Sequence, residues 1–296
     1  MLGLVLGLGL GLGLGLVACG DVTERGNINY DPRNGADVLD IYAPPPASTP
    51  RPAVLVIHGG GWTEGTERSS MVSHAERLAA AGYVTLNLDY RLTPNGGKYP
   101  HAVQDCFCAL AYARNHAAEL GIDPAKIAAL GYSAGGHLAS MLAVDRDDDV
   151  QPDCAEATTR VEPVAAVIPG AGPEDLAAFS PAQLVEDFVG GSLDEVPALY
   201  RAASPLFHVT AGAPPYLLIA GDDDWFVQFT KQTEPMQRAL EAVGVSTRLL
   251  RIPGGGHVFN RGGDGGSWEI PLTSIDTPEA QAAIIDFLDH TIGPPP

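Results

Sequence analysis

The chain is 296 residues long, 45% apolar and only 18% charged, which supplies one sizeable core and excludes wholesale disorder. Seventeen Lys and Arg against 36 Asp and Glu leave a formal charge of −19, the wrong sign for a wide nucleic-acid footprint. The same acidity disfavours anionic substrates and anionic membrane surfaces, and names no partner.

Residues 1–20, MLGLVLGLGLGLGLGLVACG, carry no charged side chain and largely alternate Gly with Leu. An apolar stretch of about 17 residues lies at the short limit for crossing a bilayer. The small residue before Cys19, in LVAC, resembles a bacterial lipoprotein leader, which is removed while the cysteine takes up lipid. The Lys or Arg that usually begins such leaders is missing. A cleaved secretory signal and an uncleaved anchor are the alternatives, and all three export the remainder. The expected division is a leader at 1–19, a tether at 20–35 and a catalytic domain at 36–292. Of the remaining cysteines, Cys106 or Cys108 can pair with Cys154 in an oxidising compartment, and neither makes a metal-type CxxC spacing.

After a polar stretch, VLDIY at 38–42 alternates as a short strand. AVLVI at 53–57 is unbroken and rich in β-branched residues, the pattern of a strand buried on both faces of a parallel sheet. Residues 68–81 have helical spacing closed by Gly82, and YVTLNL at 83–88 is a further strand. A long helix is expected over 101–120, a strand over 126–130 and a helix over 134–144. An acidic stretch at 145–162 leads to a strand at 164–168, and a strand at 216–220 precedes a helix at 230–243. A strand at 247–252 and a helix at 278–290 follow, the helix with Thr277 as N-cap and Pro278 at its first position. Strand and helix alternate, so the expected class is α/β, a mostly parallel central sheet with helices on both faces. The 47 residues at 169–215 exceed a simple crossover and read as helices over one end of the sheet, a lid candidate whose apolar residues pack inward.

GYSAG at 131–135 places Ser133 where a strand turns into a helix, and the small residues permit a sharp turn that lifts the hydroxyl above the sheet. A structural glycine turn is the bland alternative. HGGGW at 58–62 directly follows a strand. Successive glycines let a backbone approach a ligand and turn its N–H groups inward, so Gly60 and Gly61, with the N–H of Ala134, are candidate oxyanion donors. A phosphate loop would need a Lys-Ser/Thr pair, which does not follow. His58 reads as fixing this loop and Trp62 as wall or packing.

A serine hydroxyl needs a base, and the base an orienting acid. His74, His101, His116, His137, His208 and His290 lie in or beside helices or in the long insert, and read as structural or exposed. His257 instead follows the strand at 247–252 in a PGGGH loop, at the carboxyl edge of the sheet where open α/β folds place their sites. The acid should lie on the same edge, where GDDD at 221–224 offers Asp222, Asp223 and Asp224; position alone does not choose among them.

HGGGW, DYRL at 89–92, GYSAGGHLA, SPL at 204–206, PPYLLIAGDDDWFV and GGGHVF stand in one order and spacing. By them the chain from about residue 36 to 290 resembles the acetyl- and feruloyl-esterase-like α/β-hydrolase carboxylesterases of bacteria. The resemblance implies that fold without a large cap domain, and a triad of Ser133, Asp224 and His257. The acid comes from a G-D-x-D-x-x-V pattern that ends on Val227, leaving Asp222 to cap its turn and Asp223 solvated. It implies no metal and no organic cofactor. The implied substrate is a small-molecule ester, an acetylated or feruloylated carbohydrate among the candidates, with no nucleic acid.

Enzymes resembling hormone-sensitive lipase carry a helical cap before HGGG and usually Asp before the nucleophile, whereas Tyr132 stands there in this chain. HGG and GYSAGG also resemble kynurenine formamidases. The glycine-rich run at 261–266 and Trp268 have no counterpart in these families, and Arg91 reads as pairing with a carboxylate beneath the oxyanion loop. The expectation is an exported esterase acting on short acyl groups, membrane-held only through lipid on Cys19. A serine peptidase or arylformamidase-type amidase would use the same triad, though such peptidases carry a propeller or cap. A binding module would have lost a triad member, and none is missing from the sequence.

Overall fold

A strand with apolar residues on both faces must be covered on both, and AVLVI accordingly lies mid-sheet. The computed structural model describes residues 22–63, 68–144, 150–257 and 277–296; Cys19 with its leader, the run at 261–266 and Trp268 lie outside them. The sheet contains β1 (Thr23–Asn29), β2 (Val38–Ala43), β3 (Arg51–Ile57), β4 (Val84–Leu88), β5 (Ile122–Tyr132), β6 (Ala166–Gly170), β7 (Tyr216–Gly221) and β8 (Thr247–Ile252). Their spatial order is β1-β2-β4-β3-β5-β6-β7-β8. β1 with β2 and β2 with β4 pair antiparallel, and all later neighbours are parallel. The fold is an α/β-hydrolase.

The helices are α1 (Val72–Ala80), α2 (His101–Asn115), α3 (Ala117–Leu120), α4 (Ala134–Val144), α5 (Ala182–Val189), α6 (Pro197–Ala202), α7 (Thr233–Ala242) and α8 (Pro278–Thr291). The expected helix at 68–81 opens as a tight 3₁₀ turn over Arg68–Met71 before α1. The one at 101–120 breaks at His116, whose backbone leaves the helical region. Thr277 does cap α8, its side chain accepting from the Ala280 N–H at 3.1 Å.

One expectation needs correction. The tether at 20–35 contains β1, whose residues are exposed save for a half-buried Ile28. An edge strand needs only backbone pairing on one side, so TERGNIN carries no apolar alternation that would announce it.

Cys108 on α2 pairs with Cys154, tying that helix to the segment following α4, and leaves Cys106 free and buried.

The long insert after β6 folds as short helices rather than as a cap. Leu176, Phe179, Val185, Phe188 and Val189 are buried and Leu184 half-buried, so its apolar residues are used in packing. Buried polar bonds fix its ends. The Gln232 side chain accepts from the N–H groups of Glu174 and Asp175, both at 2.8 Å. Ser204 accepts from the Leu176 N–H at 2.9 Å and donates to the Tyr200 carbonyl at 2.6 Å, a structural use for the serine of the SPL motif. Ser140 on α4 donates to Glu174 at 2.9 Å, and burial pushes that carboxyl up to about 8.

Candidate active site

Ser133 sits between β5 and α4 with φ at +54°, in the left-handed region that costs an L-residue energy. The turn closes because its flanking glycines lack a Cβ. One on Gly131 would lie 2.1 Å from the Gly135 carbonyl oxygen, and one on Gly135 would lie 2.2 Å from that of Ile57. The Ser133 N–H donates to Gly170 at 2.8 Å, so the elbow is braced against β6.

The carboxyl edge brings the other two residues to it. His257 Nε2 lies 3.0 Å from Ser133 Oγ, and His257 Nδ1 lies 2.9 Å from Asp224 Oδ2. Asp224 Oδ1 accepts from the N–H groups of Phe226 and Val227, at 2.9 and 2.8 Å, which fixes the carboxylate with its other oxygen toward the imidazole. An ionised carboxylate only accepts, so Nδ1 carries the proton and Nε2 is free to accept from the serine. Phe226 also packs edge-on against the His257 ring at 5.0 Å.

The neighbouring aspartates face elsewhere. Asp222 takes the Arg251 guanidinium at 2.8 Å on the surface, a pairing rather than the turn cap expected of it, and Asp223 is exposed.

On the other side of the serine, Gly60, Gly61 and Trp62 have φ values of 102, 58 and 62°. A Cβ on Gly59 would meet the Tyr132 carbonyl oxygen at 2.9 Å, so the loop lies directly against the elbow. Among the described residues no carbonyl accepts from the N–H of Gly60 or Gly61. The Ala134 N–H opens α4 and has no intrahelical partner. Three donors thus flank Ser133, where an acyl oxygen could become negative.

The loop rests on buried polar residues. His58 stacks on Tyr90 at 4.4 Å, and its Nδ1 lies 2.7 Å from the Gly59 carbonyl oxygen; burial lowers its pKa. Arg68 pairs with Asp89 and with Asp40, the latter at 2.7 Å. Arg91 grips Asp105 through Nε and Nη2, at 2.6 to 3.0 Å, the structural pairing expected of it. His101, His208 and His290 bond to backbone carbonyls, and His116 lies beside Glu119 and Glu156.

Three residues at this site were not read as site residues from the sequence. Phe179 meets Trp62 at 6.3 Å and Phe226 at 5.2 Å, and so links the residue that ends the HGGGW loop to the one that packs on His257. Leu184 from α5 stands 3.4 Å from where a Gly61 Cβ would be. Phe226 follows the acid by two residues, which places it but does not orient it.

The BD-FAE family model matches residues 39–240. The chain belongs to the BD-FAE family. Esterase LipC of Mycobacterium tuberculosis is 32% identical over 233 residues, 76% of this chain and 57% of LipC. The chain therefore spans little more than half the length of that relative. Esterase 2 of the planctomycete Thermogutta terrifontis, solved with propionate bound, is 25% identical with a TM-score of 0.72, covering 94% of this chain and 97% of its own. A truncated carbohydrate esterase from gut microbiota shares the fold at a TM-score of 0.78 and 24% identity, covering 91% of this chain and 96% of its own. Like those structures, this BD-FAE member has its described helices and strands in one α/β-hydrolase unit.

Proposed function

We propose that the protein is a serine carboxylic ester hydrolase for short acyl groups. The carrying observation is the unbroken path from Asp224 through His257 to Ser133, ending beside the three N–H donors. Ser133 Oγ attacks the ester carbonyl while its proton passes to His257 Nε2, and Asp224 holds the imidazolium. The oxyanion accepts from Gly60, Gly61 and Ala134. Collapse breaks the ester C–O bond, the alcohol leaves with the proton from His257, and water repeats the sequence on the acyl-enzyme. LipC's name as an esterase supports this reading, as does the Thermogutta esterase 2 phosphorylated by paraoxon.

The acyl limit follows from the insert. Among the described residues, Leu184 packs against the loop at Gly61 and Phe179 lies between Trp62 and Phe226, so the insert's apolar residues are spent on packing and a long chain would gain little of the burial energy of about 0.8 kcal/mol per CH₂. Propionate- and butyrate-bound forms of the Thermogutta enzyme support a small acyl site. On a panel of p-nitrophenyl esters kcat/KM should peak between acetyl and butyryl and fall from octanoyl upward. Maximal turnover of decanoyl esters below their critical micelle concentration would refute the acyl limit. Acetylated xylan and feruloylated sugars belong in the same panel as candidates for the alcohol part.

Export with lipid on Cys19 is part of the proposal, supported by the Cys108–Cys154 disulfide, which suits an oxidising compartment. A palmitate analogue should label the wild type and not Cys19→Ser. An unlabelled wild type that begins after residue 19 would replace the anchor with plain secretion.

A further inference from the structure

Gly60, Gly61 and Trp62 pass Ser133 in three successive left-handed conformations. Glycine adopts that conformation freely, but a tryptophan must be held in it. Besides the edge contact with Phe179, three contacts hold Trp62. Its carbonyl accepts from the Thr93 N–H at 2.8 Å. Its indole stacks on Phe188 of α5, with centroids 4.7 Å apart and planes within 16°. Its Nε1–H points at His137 Nδ1, 3.2 Å away.

The third contact fixes the state of His137. Indole nitrogen only donates, so Nδ1 is the acceptor and the proton lies on Nε2. That nitrogen donates to the Ala203 carbonyl at 2.8 Å. Both ring nitrogens are satisfied, the ring is fully buried, and burial lowers its pKa to about 4. His137 lies one turn beyond Ser133 on α4, and its own N–H donates to the Ser133 carbonyl at 3.0 Å. One neutral imidazole therefore joins the nucleophile's helix, the oxyanion loop and the far end of the insert.

We propose that His137 is a positioning residue of the oxyanion hole, holding Trp62 so that the N–H groups of Gly60 and Gly61 face the acyl oxygen. The proposal rests on the serine esterase reading above. A donor contributes to catalysis only at the position the oxyanion will occupy, and a misplacement of about 1 Å can cost about 10²-fold. A core histidine that merely satisfied its neighbours would alter stability and leave the chemistry of folded molecules alone.

Trp62→Phe keeps an aromatic ring for stacking and removes the N–H; His137→Leu removes both hydrogen bonds; His137→Gln offers an acceptor and a donor in their place. The readouts are kcat per titrated site, KM, and the rate of inactivation by paraoxon, whose phosphoryl oxygen would use the same donors. Trp62→Phe and His137→Leu should each lower kcat and inactivation rate by about 10- to 100-fold with KM within about twofold. The double variant should lose no more than the worse single, because both break one link, and His137→Gln should recover most of the loss. Should His137→Leu fail to fold, Trp62→Phe carries the test alone. Variants with a lowered Tm but wild-type kcat and inactivation rate, or with multiplying losses, overturn the proposal. A wild type inert to paraoxon would overturn the esterase reading along with it.

Discussion

Replacing Ser133 by alanine is expected to lower kcat for ester hydrolysis by about 10⁴ to 10⁶, leaving the residual rate that oxyanion donors and binding supply without a nucleophile. The expectation comes from three separate constraints on one atom. The elbow holds Ser133 at a positive φ that its flanking glycines permit, His257 Nε2 waits 3.0 Å from Oγ, and the loop at Gly59 lies against the same turn. Alanine keeps the backbone and removes only the hydroxyl, so Tm should move little and the loss is chemical. A purified variant retaining a tenth of the wild-type kcat would place the nucleophile elsewhere.

Asp224→Asn should cost about 10³ to 10⁴ in kcat, although it changes one oxygen to nitrogen. The asparagine carbonyl would take over the N–H groups of Phe226 and Val227 that now bond Oδ1. Its NH₂ would then face His257 Nδ1, which could only accept, and the imidazole proton would move to Nε2. An Nε2–H cannot take the serine proton. Asp222→Asn loses only a surface pair with Arg251, and Asp223→Asn touches an exposed side chain, so both should stay within about twofold of wild type, since exposed pairs contribute little. Kinetics showing the deepest loss at Asp222 or Asp223 would assign the acid to the wrong carboxylate.

The acid also marks where sequence reading stopped. Three consecutive aspartates are equivalent in composition and nearly so in position; what separates them is the turn after β7, which sends Asp224 inward and leaves its neighbours in solvent. Only the family resemblance distinguished them beforehand. The central strands β3 and β7 were legible because they are covered on both faces, which there gives nearly unbroken apolar runs, whereas β4 is covered as fully but buries Thr85 and Asn87 within VTLNL. Helix α8 was legible from its cap. β1 was not, because its partner supplies hydrogen bonds that any sequence can accept. The break at His116 occurs without the Gly or Pro that would signal it. His137 read as structural because periodicity sees one helix at a time, and its bonds run to residues 75 and 66 positions away. Phe179 and Leu184 read only as packing residues for the same reason: their contacts with Trp62, Phe226 and the Gly61 loop depend on the insert's path.

The buried carboxyl of Glu174 takes up a proton when the chain folds above the ordinary carboxylate range. Unfolded, this group releases its proton near 4.5; folded, burial holds it up to about 8. Between those values the native chain keeps a proton that the unfolded chain has lost. Its contribution to stability is complete below the ordinary carboxylate range and is lost as pH rises through about 8. Within that interval the slope is about 1.4 kcal/mol per pH unit. The formal −19 therefore counts a charge that Glu174 does not carry in the native state at pH 7. Because the proton must come from solution, the measured heat of refolding at neutral pH includes the ionisation heat of whatever buffer supplies it, and differs between phosphate and Tris at the same pH.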